Sequence, residues 1–79
     1  LAMNEAQREA MAQLRALSRK MRENADYVGD RFAEEARKIH FGEADPRGIY
    51  GEATLEEARA LAEDGVDFMP IPIFPDDQN

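Results

Sequence analysis

The sequence predicts a mainly α fold: a long N-terminal helix, a bend, two shorter helices, short extended segments and a proline-rich tail. Three patterns predict it. Met3, Ala10, Leu14, Leu17 and Met21 recur at steps of seven, four and three among good helix formers, the repeat of one helical face. Thr54 stands three residues before Glu57, so its hydroxyl can cap a helix while the carboxylate reaches back to the cap's N–H. Pro70, Pro72 and Pro75 alternate with apolar residues and remove backbone donors, which makes the tail extended or polyproline-like, at most an edge strand.

The elements follow in order. The first helix spans 2–23, and at 1.5 Å per residue it is a rod of about 30 Å. Its apolar stripe is narrow, and Arg8, Arg15, Arg19 and Arg22 share a second face. Asn24 to Gly29 combines a turn-prone Asn, a charge and a Gly, so the chain breaks or bends there. A second helix near 29–41 presents Val28, Phe32, Ala36 and Ile39, with His40 in its last turn and Gly42 as a left-handed cap. Turn signals at Asp45-Pro46 and Arg47-Gly48 precede Ile49-Tyr50-Gly51, a short strand or an extended connection. The third helix, 55–64, is expected to bury Leu55, Ala58, Leu61 and Ala62 and to end at Gly65. Between Val66 and Phe74 six of nine residues are large and apolar, so this segment should pack over the helices or into a second chain. It is also expected to pair with 48–51, and a parallel strand, helix, strand unit over 48–51, 55–64 and 66–69 is compatible with the spacing. The chain reads as a single small domain or C-terminal fragment: rod 1–23, compact helical part 24–74, frayed tail 75–79.

Composition limits both the core and the chemistry. Of 79 residues, 43% are hydrophobic, but 13 of these are alanine and 21 are larger. A domain this small buries roughly 60% of the surface its unfolded chain exposes. The rod and the tail are therefore expected to find cover on a neighbour. Absence of Cys excludes disulfides, thiolate metal sites and Cys nucleophiles. Charge is uneven: residues 1–24 carry five basic and three acidic groups, residues 25–79 five basic and fourteen acidic, giving a net −7. An acidic body disfavours nucleic acid and anionic lipid as partners, leaving the first helix to make any such contact. No apolar stretch approaches the ~20 residues that cross a bilayer, so no membrane partner and a cytoplasmic location are expected.

Each candidate for chemistry has a plainer competitor. Asp26, Asp30 and Glu34 lie four residues apart and on a continuous helix would form a carboxylate ladder for a hard cation, with His40 as a nitrogen donor. The competing reading is a solvated face in which Glu34 pairs with Lys38. His40 is the one side chain that titrates near neutrality unperturbed, yet Ser18 lies on the first helix and Thr54 is committed to capping. No nucleophile has a visible partner, and no catalytic, cofactor-binding or metal-binding residue is assigned. The arginine stripe suits an acidic protein, a phosphate or a nucleic-acid backbone; alternatively Glu5, Glu9 and Glu23 neutralise it locally. Tyr27 and Tyr50 flank Gly29 and Gly51 in the two least periodic segments, either as binding residues or as rings covering the core with hydroxyls on backbone groups.

The middle of the chain carries distinctive words: NADYVGDRFAEEARKIHFGEA over 24–44, RGIYGEAT over 47–54, EEARAL over 56–61 and DGV over 64–66. Over about 22–72 it resembles the C-terminal half of a bacterial family known as domain of unknown function 1178. The resemblance implies no activity, substrate or catalytic residue. It implies an architecture, a cysteine-bearing segment like a zinc ribbon followed by a linker and this acidic helical body. The zinc would then belong to that N-terminal segment, whose cysteines this chain lacks, as expected of a fragment. Leu55 stands where relatives often have Pro. On the strength of the resemblance Asp26, Tyr27, Asp30, Arg31, His40, Arg47 and Tyr50 are nominated for a functional surface, with Arg31 alternatively holding the bend through Asp30.

Three functions follow as expectations. The first is a non-enzymatic interaction or regulatory module that self-associates, or docks on a larger assembly, through the first helix and tail. The second is a nucleic-acid-contacting accessory protein using Arg8, Arg15, Arg19 and Arg22. The third is a metal-dependent enzyme built on Asp26, Asp30, Glu34 and His40.

Overall fold

The computed structural model describes residues 2–74, so the frayed end expected over 75–79 lies outside the described residues. Helix α1 runs Glu5–Glu23 and opens with a capping box: Gln7 N–H donates to the Asn4 side chain and Asn4 N–H to the Gln7 side chain. Strand β1 is Asp26–Tyr27; a 3₁₀ turn over Gly29–Arg31 leads into α2, Phe32–His40; β2 is Ile49–Tyr50 and α3 is Leu55–Glu63. The fold is mainly α, as expected.

Both short helices end in the same motif. After α2 the Gly42 N–H donates to Ile39 and the Glu43 N–H to Lys38; after α3 the Gly65 N–H donates to Ala62 and the Val66 N–H to Leu61. These are Schellman closures, which require a positive φ, +77° at Gly42 and +76° at Gly65. The α3 start carries the predicted reciprocal cap between Thr54 and Glu57. Nine-residue helices are too short to persist alone, so these closures and tertiary packing hold them.

The expected bend at 24–29 contains a strand. β1 pairs with β2 in parallel, Asp26 opposite Ile49 and Tyr27 opposite Tyr50, with α2 as the crossover. The tail does not supply the partner of 48–51, and the unit centred on 55–64 does not form. β1 offers what the tail's prolines remove: Asp26 N–H donates to Gly48 and Val28 N–H to Tyr50, and Glu52 N–H closes the far end on Gly29. The backbones approach so closely that a Cβ on Gly51 would sit 2.3 Å from the Gly29 carbonyl oxygen. Only glycine fits there.

The core is small: Ala33 and Ala36 of α2, Leu61 of α3 and Val66, with Phe32 and Ile49 packed at its edge. Leu61 is wholly buried, whereas Leu55, expected inside, is 75% exposed. Leu55 occupies the first helical position, where the chain has just turned out from β2. Ala62, also expected inside, is exposed, and Ala58 is half-buried. The tail lies across α1: the Ser18 hydroxyl donates to the Pro72 carbonyl at 3.0 Å, and Phe74 is buried beneath the Arg15 guanidinium, 4.8 Å from its ring centroid. Ser18 is the one buried residue of α1. The first part of the rod projects, and the radius of gyration of 14.9 Å exceeds the roughly 12 Å of a compact chain of this length.

Candidate functional site

Two surfaces meet at β2. One is a polar clasp. Arg47 donates to Asp26 at 2.8 Å and lies 3.5 Å from Glu35, which also receives Arg31 at 3.1 Å; Arg31 stands 3.6 Å from Glu34, and Lys38 3.5 Å from the same carboxylate. Glu35 is thus the hub joining the turn before β2 to α2. Beside it, the Tyr27 hydroxyl donates to both oxygens of Glu52, at 2.6 and 2.8 Å, and the Tyr27 ring tilts against Tyr50 with centroids 5.1 Å apart. A shallow cleft of about 460 Å³ lies between Tyr27, Val28, Gly29, Arg31, Glu35 and Arg47.

The clasp's chemistry is that of a closed network. Its arginines face carboxylates, so little positive potential is left for an anion, and its exposed pairs each stabilise by less than about 1 kcal/mol. The hydrogen bond to Glu52 raises the Tyr27 pKa above 10.0, with desolvation adding in the same direction. A phenol held protonated beside a carboxylate is poorly suited to act as a base at neutral pH.

The second surface is an open groove of about 770 Å³. It is lined by Met21 of α1, by Phe32, Ala36 and Ile39 of α2, by Ile49 and Tyr50 of β2, and by Phe68, Met69 and Ile71 of the tail. Polar groups also line it: Arg22, His40, Arg47, Glu52 and Asp67. The His40 ring stands edge-on to Phe41 with centroids 4.8 Å apart, at the exposed end of α2.

The structure brings Asp26, Tyr27, Arg31, Arg47 and Tyr50 into the clasp, and His40 lines the groove, as Arg47 and Tyr50 also do. Asp30 is exposed in the 3₁₀ turn, and Arg31 pairs with Glu34 and Glu35 along α2. The carboxylate ladder does not form, because Asp26 is in a strand, Asp30 in a 3₁₀ turn and Glu34 in α2, so no continuous helix aligns them. Glu34 and Lys38 make the expected pair. Among the described residues no three His, Asp or Glu side chains converge as a metal site. With one His and no Cys, this chain's own residues do not fit a zinc ion. Of the arginine stripe, Arg8 and Arg19 are exposed, Arg15 covers Phe74, and Arg22 Nε donates to the Ser18 carbonyl at 3.4 Å.

Sequence reasoning missed Glu35, Glu52 and Ser18. Glu52 was legible: it lies two residues after Tyr50, hence on the same side of an extended segment and beside any ring that Tyr50 meets. Glu35 had no periodic signal among the other acidic residues of α2, and Ser18 none on α1.

The words that distinguish the sequence, DYVGDR and RGIYGE, are the clasp and its glycine crossing. The family described as "Protein of unknown function (DUF1178)" matches residues 2–76, nearly the whole chain and more than those words cover. The chain belongs to this family. No curated protein and no solved structure matches it. The family match takes in α1 together with the clasp, so the rod is as much part of the family's pattern as the body.

Proposed function

We propose that this chain is a non-enzymatic interaction module that self-associates or docks on a larger assembly. One observation carries the reading: Met3, Met11, Leu14 and Leu17 are exposed on a projecting rod, Leu17 at 55%. A row of this kind on one helix face is costly to leave in water. The groove adds a second apolar surface, whereas the clasp's polar side chains are engaged with one another. The nucleic-acid reading has less support, because Arg15 and Arg22 are drawn into contacts within the chain and the body is acidic. Among the described residues no helix is long and apolar enough to cross a membrane, and the reading assigns the module to the cytoplasm.

Light scattering and sedimentation of the purified chain, alone and mixed with proteins captured on it, test the reading. Association that weakens when Leu17 is replaced by Glu supports it. A monomer at every concentration that holds no partner through this face contradicts it.

A further inference from the structure

We propose that the occupant of the exposed α1 face is a second copy of this chain, the two first helices pairing antiparallel about a two-fold axis beside Gln13. The proposal rests on the interaction reading and names its partner. Met3, Gln7, Ala10, Leu14, Leu17 and Met21 are separated by four, three, four, three and four residues, the seam of a coiled coil; the first five are exposed, and Met21 is half-buried where the seam runs into the groove. None of the six is charged, and neither are their neighbours Ala6, Met11 and Gln13.

That spacing reads the same in both directions, so an antiparallel copy meets it in register. Met3 of one copy then faces Met21 of the other, Gln7 faces Leu17, and Ala10 faces Leu14, a small residue opposite a large one at the layers next to the axis. A parallel copy sets Leu14 on Leu14 and Ala10 on Ala10, crowding one layer and leaving the next hollow.

Charge agrees with this orientation at long range, with Lys20 the one charged residue flanking the seam, the four arginines on a second face, and Arg15 and Arg22 also in contacts within the chain. Residues 2–12 carry one Arg against two Glu, and residues 13–23 carry four basic groups against one Glu. Antiparallel pairing lays the acidic half on the basic half, whereas parallel pairing lays like on like. It also sets the two bodies, each carrying nine more acidic than basic groups over residues 25–79, at opposite ends of a rod about 30 Å long. That separation is several times the ~8 Å Debye length at physiological salt, so their repulsion is screened. Ser18, tied to Pro72, marks the edge of the seam and keeps the tail beside it rather than on it.

The absence of Cys makes single-cysteine variants of the whole chain clean reporters. With a short bismaleimide, Gln13→Cys is expected to join to itself and Met3→Cys is not, while a mixture of Met3→Cys and Met21→Cys joins across copies. Leu14→Glu should weaken association at least ~10-fold, since charge is excluded from interface cores. Leu14 is exposed, so circular dichroism of that variant should be unchanged at low concentration. Met3→Cys joining to itself without Gln13→Cys would establish a parallel seam and overturn the proposal. A monomer throughout the micromolar range, with no Gln13→Cys product, also overturns it. If that monomer still binds another protein through α1, only the second copy is refuted and the interaction reading stands.

Discussion

The rod and the body use similar helix-forming residues and reach order by different means. α1 has 19 residues and buries only Ser18, whereas α2 and α3 have nine each and contribute Ala33, Ala36 and Leu61 to the core. The short helices are fixed by Schellman glycines, by each other and, for α3, by a capping box. The long one has a cap, length and a tail strapped across its second half. Burial is therefore concentrated where the chain crosses itself, and the rod's first half is left with an exposed apolar face. A domain of this size holds only about 4–12 kcal/mol in total, so the difference decides which region opens first.

The contrast can be broken at its strongest point by Gly51→Ala. The new Cβ meets the Gly29 carbonyl at 2.3 Å, and the parallel pairing must open to admit it. A loss of about 3 kcal/mol or more is expected in urea denaturation, enough to unfold much of the population. Next, Leu61→Ala should cost about 2–5 kcal/mol, while Leu17→Ala on the rod should change monomer stability by no more than about 0.5 kcal/mol. Equal costs at the two leucines would erase the distinction between rod and body.

Smaller effects sharpen it. Ser18→Ala removes the donor to Pro72 and should cost about 1–2 kcal/mol, with faster amide exchange confined to the tail and the second half of α1. Thr54→Ala should cost about 1 kcal/mol through the α3 cap. Smallest is the Tyr27 contact. Its pKa is raised in the fold, so its contribution is fully present below the unfolded value of 10.0 and is lost as pH rises through the folded value. Tyr27→Phe should abolish that alkaline loss in a pH series of thermal melts and lower the neutral melting temperature by about as much as alkali lowers it in the parent chain.

Helix periods, the α3 cap and the two stop glycines were legible because each is a local rule acting within a few residues. Asn4 and Gln7 obey the same capping rule and mark the start of α1 at Glu5, which apolar periodicity alone carries back to residue 2. The β1 to β2 pairing was not legible. Two-residue strands carry no alternation, and the choice of 26–27 over the tail is made by donors far apart in sequence. Of the nominated site, Asp26, Tyr27, Arg31, Arg47 and Tyr50 come together; spacing points to Asp26 and the neighbouring glycines to Tyr27 and Tyr50, whereas Arg31 and Arg47 are pointed to by the resemblance to a family alone. Leu55 misled because amphipathic spacing places it inward, although as the first residue of α3 it has left the core.

Hydrogen exchange of the whole chain at low and high concentration tests the central claim most directly. The account predicts that amides in the first half of α1 exchange rapidly when dilute and become protected as concentration rises, while those of α2 and α3 stay protected throughout. Protection of α1 equal to that of α3 at every concentration would contradict it.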